Sequence, residues 1–303
     1  MKQSRAQLLH PSLFGVWLGV GLLWLLHWLP LPLLAALGNG LGWLLAMRPG
    51  KRKRVVATNL ALCFPDVAEA TRRRWLRQTF QASMRAALEY GVLWWGSEAR
   101  LRRVVRIDNP EAARGDGKRP VIWLAPHFVG LDMGGVRLTL DHAMASIYAP
   151  AKDPVSDRFI RRGRTRFSDI VLIARHEGLK STLNAIKSGR PFYYLPDQDH
   201  GRHNAVFVPF FGVPAATVSA LPRLARLTNA QVVPVVTRQL PWGRGYAVHF
   251  YPPWDDYPSG DLDVDVARMN AFIEARVREM PAQYLWLHRR FKTRPAGERS
   301  VYE

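Results

Sequence analysis

Between Ala6 and Met47 the chain carries no Lys, Arg, Asp or Glu. An uncharged run of 42 residues, rich in Leu and Trp, cannot be the surface of an ordinary water-soluble fold and points to a membrane. Ser12 to Trp28 can form one helix of 17 residues, about 25 Å long at about 1.5 Å per residue, before Pro30 and Pro32 interrupt it. That length is marginal for a span. With Leu33 to Leu45 the segment either crosses with a kink or lies as a re-entrant pair. It far exceeds the apolar core of a cleaved signal peptide, and no clear small-residue cleavage site precedes the basic block, so an uncleaved anchor is expected. Arg48, Lys51, Arg52, Lys53 and Arg54 follow directly, against Lys2, Arg5 and the amino group ahead of the run. That bias places the remainder of the chain on the cytoplasmic side. The basic block is either a plain membrane flank or a contact with anionic headgroups. The chain thus divides into an N-terminal membrane anchor, 1–47, and a catalytic body, 48–303.

Outside the anchor the composition excludes two classes. The whole chain is 48% hydrophobic, too apolar for disorder, and its single cysteine, Cys63, rules out a disulfide scaffold. A net charge of +19 beside so many apolar residues suggests a surface that meets anions and lipid together.

The body reads as α/β. Asp66 and Glu69 have the spacing of a capping box, and Leu76, Phe80, Met84 and Leu88 recur every four residues as the apolar face of the helix that follows. Arg72, Arg73, Arg74 and Arg77 crowd its start, against the helix dipole. Val121 to Ala125 is a short apolar run ending at Pro126, as expected of a buried parallel strand, with His127 just beyond its carboxyl end. Gly130, Gly134 and Gly135 lead into an apolar helix. The alternation returns in a helix with Leu179, Leu183 and Ile186 that stops at Gly189, a strand from Phe192 to Leu195, strands at Gln231 to Thr237 and Tyr246 to Tyr251, and a helix at Val264 to Glu279. This pattern predicts a mixed, largely parallel sheet flanked by helices, in which functional loops follow the carboxyl ends of strands.

Two clusters could carry chemistry. In His127-Phe128-Val129-Gly130-Leu131-Asp132, a tight turn lets Asp132 accept the proton of one ring nitrogen and frees the other as a base. A hydroxyl nucleophile needs such a base at neutral pH. The second cluster, Asp197, Asp199, His200 and His203, has residue types that suit a divalent metal but not the spacing of a known site, and no metal is expected. Of 43 cations 35 are Arg, grouped at Arg158, Arg161, Arg162, Arg164 and Arg166 and again at Arg289, Arg290, Lys292, Arg294 and Arg299. Arg favours bidentate contacts to phosphate and carboxylate.

The His127 to Asp132 motif, Tyr193-Tyr194-Leu195-Pro196-Asp197-Gln198-Asp199-His200-Gly201, the segment Phe207 to Thr217 and the ending Gln283 to Pro295 closely resemble the bacterial lipid A late acyltransferases, the lauroyl/myristoyl transferase family related to the glycerolipid acyltransferases. The resemblance runs over nearly the whole chain. It implies a glycerolipid acyltransferase-like fold and transfer of a fatty acyl chain from acyl carrier protein, or coenzyme A, to a 3-hydroxyacyl hydroxyl of a Kdo-bearing lipid A precursor. The place would be the cytoplasmic face of the bacterial inner membrane, with no cofactor and no nucleic-acid partner. In that scheme His127 removes the hydroxyl proton and Asp132 orients and charge-balances the imidazole. Arg164 is the candidate for the oxyanion, Arg161 and Arg162 for phosphate, and Asp197 and Asp199 for positioning Arg164 or the sugar head group. The same chemistry on a lysophospholipid or glycolipid, and a non-enzymatic polybasic membrane module, are the competing readings.

Overall fold

A computed structural model of the chain describes Leu8 and residues 10–302, so Lys2 and Arg5 lie outside the described residues. The strands are β1 (Val105–Asp108), β2 (Val121–Leu124), β3 (Ala145–Tyr148), β4 (Val171–Ala174), β5 (Phe192–Tyr194), β6 (Ala205–Phe210), β7 (Val213–Val218), β8 (Gln231–Gln239) and β9 (Tyr246–Phe250). The helices are α1 (Phe14–Leu26), α2 (Leu31–Met47), α3 (Lys51–Cys63), α4 (Glu69–Trp95), α5 (Glu98–Val104), α6 (Leu131–Leu138), α7 (Pro154–Thr165), α8 (Gly178–Lys187), α9 (Ala220–Thr228) and α10 (Leu262–Glu279).

All four side chains of β2 are buried, which demands cover on both faces and explains why its sequence is continuously apolar rather than alternating. Ile122 and Leu124 join one core with Ile273 of α10 and with Trp286 and Phe291 of the C-terminal segment. Trp123 points the other way, into a second core with Val92 and Leu93 of α4 and Val136 of α6. The 7-stranded sheet has the order β1-β9-β8-β2-β5-β3-β4. Only β8 and β9 pair antiparallel; the other neighbours are parallel. This is the mixed, largely parallel sheet flanked by helices that the alternation predicts. The motif segment Phe207 to Thr217 forms an antiparallel hairpin, β6–β7, apart from the main sheet.

The apolar N-terminal run is broken differently from the expectation. Instead of one helix over Ser12 to Trp28 there is a 3-10 turn, Pro11–Leu13, followed by the 13 residues of α1. Pro30 caps α2, and Pro32 sits inside its first turn, where a missing N–H costs nothing, so Pro32 starts a helix rather than ending one. α2 lies flat along α4. Gly38 and Gly42 approach Arg85 and Gln81 so closely that a Cβ at either would overlap the α4 backbone. The opposite strip of α2, Leu33, Leu37, Leu41 and Leu44, is exposed, as are Phe14, Leu18, Leu22 and Leu25 of α1. Among the described residues no single helix is long and apolar enough to cross a membrane. α2 and α3 pass that test only together and meet at 89°.

The capping box does not form. α4 begins at Glu69 behind Ala68, with no side-chain cap, and Asp66 stays in the preceding turn. Arg72 reaches back to the carbonyls of Phe64 and Pro65 at 2.8 and 2.9 Å, and Glu69 pairs with Arg73 at 2.5 Å. Two of the arginines crowding the helix start thus have local partners.

The close α2–α4 crossing sets a stability test. Gly42→Val should destabilise the protein by about 1–3 kcal/mol through overpacking, read as a lower thermal midpoint in detergent. Gly40→Ala, which faces open space, should leave the midpoint unchanged or higher.

Candidate active site

β2 and β5 are parallel neighbours with Leu124 opposite Tyr194, and the ladder continues as Ala125 N–H donates to the Tyr194 carbonyl at 2.8 Å. Each strand then ends on a proline, Pro126 and Pro196, and the next residues are His127 and Asp197. The matched register therefore sets the imidazole beside the carboxylate. His127 Nδ1 lies 2.6 Å from Asp197 Oδ1, and the His127 backbone N–H donates to Asp197 Oδ2 at 3.0 Å. The Asp197 side chain is 1% exposed. Burial by itself would raise its carboxyl, but the His127 charge and hydrogen bonds, with the Tyr284 hydroxyl, outweigh it and hold the group below the ordinary carboxylate range.

The expected His127–Asp132 hydrogen bond is absent, and the reason is geometric. After His127 the chain turns and α6 runs back over the sheet, so Asp132, in its first turn, faces α4 and α7. There Asp132 Oδ1 accepts from Arg164 Nη2 at 2.6 Å, and its other oxygen accepts from the Tyr90 hydroxyl. Its recessed position would raise the carboxyl, yet Arg164 first and the Tyr90 hydrogen bond next bring it below the usual range. Arg164 is thus positioned by Asp132, not by Asp197 or Asp199.

His127, Asp132 and Arg164 line one cavity of about 640 Å³. Gln198 and His200 add polar groups, while Val136, Ile147, Ile160, Ile170, Leu172, Ile173 and Leu179 supply an apolar wall. A pocket of this size with a few convergent polar groups on an apolar lining has the character of a small-molecule or lipid site. A base, a cation and an apolar wall in one cavity can activate a hydroxyl, stabilise a developing oxyanion and hold an alkyl chain.

The remaining candidates separate from this centre. Asp199 is fully buried and closes a clasp, accepting from Thr293 N–H and from Thr293 Oγ1, both at 2.8 Å, and from Gly201 N–H at 2.9 Å. Its role is to hold the C-terminal segment. Arg161 and Arg162 are exposed on α7, Arg161 with its guanidinium 5.6 Å from the Tyr148 ring centroid. In the second cluster the Asp197 and Asp199 carboxylates point to different partners and His203 is exposed. Among the described residues no three His, Cys, Asp or Glu side chains converge on a cation position. The C-terminal arginine group also dissolves: Arg290 is buried, donating to the Ala216 carbonyl at 2.9 Å and to Thr217 Oγ1 at 2.7 Å.

Tyr90 and His288 carry no role in the sequence reading. Tyr90 lies on the amphipathic helix two residues past the last periodic apolar position, and nothing local marks it. His288 sits inside the closing motif and accepts from Asp199 N–H at 3.0 Å through Nε2. That motif brackets the candidate base, with Leu285 N–H donating to the His127 carbonyl at 3.0 Å and Val129 N–H to the Gln283 carbonyl at 2.8 Å.

Residues 1–293 match the family described as bacterial lipid A biosynthesis acyltransferase. The chain is 36% identical over 298 residues to the lipid A biosynthesis lauroyltransferase of Escherichia coli (strain K12), covering 97% of each. It is 34% identical over 300 residues to the lipid A biosynthesis palmitoleoyltransferase of the same organism, covering 98% of this chain and 97% of that one. To the lipid A biosynthesis myristoyltransferase, also of that organism, it is 33% identical over 303 residues, covering 97% and 92%.

The histidines around the site give a pH test. Burial first, then neighbouring cations, lower His200 and His288 from 6.5 to about 4. Between those values the unfolded chain binds protons that the folded chain does not, so stability falls as pH drops from about 6.5 toward 4. The thermal midpoint should decline over that window, and the decline should be shallower in His288→Asn.

Proposed function

The chain belongs to the bacterial lipid A biosynthesis acyltransferase family and is an acyltransferase; from that premise we propose that it moves a fatty acyl chain from a thioester donor to a 3-hydroxyacyl hydroxyl of a Kdo-bearing lipid A precursor. The donor is taken as acyl carrier protein, with coenzyme A as its alternative. The observation that carries the reading is an imidazole whose Nδ1 is bound by a buried carboxylate, on the wall of an apolar-lined cavity that also holds a guanidinium.

With Nδ1–H donating to Asp197, the His127 tautomer leaves Nε2 unprotonated and available as the base. Nε2 takes the acceptor hydroxyl proton as the oxygen attacks the thioester carbonyl carbon. The carbonyl electron pair moves onto oxygen, and Arg164 stabilises that oxyanion with the N–H groups Asp132 does not use. Collapse of the intermediate forms the ester, breaks the C–S bond, and returns the proton from the imidazolium to the departing thiolate. Asp197 orients and charge-balances the ring. Asp132, fixed by Tyr90, holds Arg164 against the cavity. Arg161 and Arg162 meet the phosphates of the acceptor, and no cofactor enters the sequence of steps.

The location follows the same logic. Residues 1–47 serve as the anchor, either as a kinked span or as a re-entrant pair, and the basic block from Arg48 to Arg54 keeps 48–303 on the cytoplasmic face of the inner membrane. The net charge of +19 draws in both an acidic carrier protein and a phosphorylated lipid.

Purified His127→Ala should be folded and inactive in acyl transfer; wild-type rates in that variant would overturn the assignment. Asp197→Asn should lower kcat by roughly 10²–10⁴-fold through loss of the tautomer and of the imidazolium's counter-charge. In cells lacking the protein, lipid A should lose an acyl chain by mass spectrometry. An unchanged acyl count would assign the same chemistry to another acceptor, a lysophospholipid or glycolipid.

A further inference from the structure

The turn joining β8 to β9 runs through Leu240–Gly245 and carries Trp242 at its tip, 83% exposed. Trp242 has φ +57°, in the left-handed region that a bulky side chain normally avoids. Such strain persists only where the surroundings over-determine it, and it tends to mark a functional position. Here the surroundings do over-determine it. Gly243 is pressed against Leu31 and Pro32 at the start of α2, and Gly245 against the Val104 carbonyl at the end of α5, each too close for a Cβ. Beneath the turn, Arg85 donates to the Leu240 carbonyl at 2.5 Å and is itself in a buried ion pair with Glu89 at 2.8 Å. The fold therefore holds a strained turn rigid in order to present an indole to the outside.

The neighbourhood is specific. Trp28, 69% exposed, stands within the α1–α2 connection and lines a surface hollow with Leu29, Pro30, Arg100 and Arg103. Arg100 caps the Leu29 carbonyl at 2.7 Å. Glu98, the acidic residue of α5, is held by Arg102 at 2.9 Å, leaving Arg103 exposed. Arg244 is exposed beside Trp242. Trp28 and Pro30 join α1 and α2, both of which carry exposed leucines. Two exposed indoles, the exposed Arg103 and Arg244, and the exposed apolar residues of α1 and α2 match the composition of a bilayer boundary, where Trp sits at headgroup depth and cations meet lipid phosphate.

We propose that the β8–β9 turn is a second membrane contact, made by the catalytic body itself, with Trp242 and Trp28 at headgroup depth and Arg103 and Arg244 bound to the phosphates of anionic phospholipids. This rests on the membrane location proposed above and adds a fixed orientation: the body is held against the bilayer at the base of α2 as well as through the anchor.

The test uses the single native cysteine, Cys63, which is buried at 3% exposure and so resists labelling. Trp242→Cys in the full chain is labelled with an environment-sensitive fluorophore and reconstituted in vesicles of phosphatidylcholine, with or without phosphatidylglycerol. Leu18→Cys, on the exposed face of α1, serves as the anchor control. The label at 242 should be blue-shifted and several-fold less quenched by iodide than in detergent-free buffer with the free dye. Shielding should be greater with phosphatidylglycerol, and Arg103→Glu should remove that increment. A label at 242 open to iodide while the label at 18 is shielded would overturn the second contact. Both labels open would overturn the membrane location itself, and equal shielding in the two vesicle types would overturn the pairing with anionic headgroups.

Discussion

The Asp197 carboxylate accepts hydrogen bonds from both the backbone and the ring of His127, and much of the site depends on that buried contact. A carboxylate excluded from water is costly unless its lone pairs are matched, and here they are matched by the residue it orients. The pair also ties the end of β2 to the end of β5. Around that junction the C-terminal segment is stitched in place, by its bonds to His127 and Val129 on one side and by the Asp199 clasp on Thr293 on the other. α3 adds a third stitch, as Asn59 donates to the Trp286 and His288 carbonyls at 2.8 and 2.9 Å.

What was legible in the sequence was whatever depends on local pattern. The continuous apolar run of β2, its proline stop, the helix ending at Gly189 and the long strand of β8 all appear where the periodicity puts them. Contacts between segments distant along the chain were not legible. Asp132 is close to His127 in sequence, but the helix that carries it turns its side chain toward Tyr90 and Arg164. Asp197 is 70 residues away from His127, and only the adjacency of two strands makes them neighbours. The capping-box spacing at Asp66 was matched by chance, since the helix starts three residues later.

The excess of arginine acquires a structural explanation. Besides Arg72, Arg85, Arg100 and Arg290, Arg52 donates to the Leu287 carbonyl, Arg166 to that of Trp94 and Arg294 to that of Pro214. The planar fork spans two carbonyls or a carbonyl and a carboxylate where a lysine point charge could not. Part of the positive charge is therefore a by-product of satisfying backbone oxygens at loop and helix ends. Arg164, which lines the cavity, and exposed cations such as Arg161 and Arg162 are among those on which recognition can draw.

Because His127 and Asp197 are set by strand register, their spacing is quantised. A slip of one residue in the β2–β5 pairing would turn the slipped strand's side chains to the opposite face of the sheet and part His127 from Asp197. The chemical centre is thus confined to one lattice position, while the cavity wall is contributed largely by α7, α8 and the short outer strands, elements that can be resized without disturbing that lattice. The pairing of the centre and the size of the cavity beside it are therefore set by different parts of the fold.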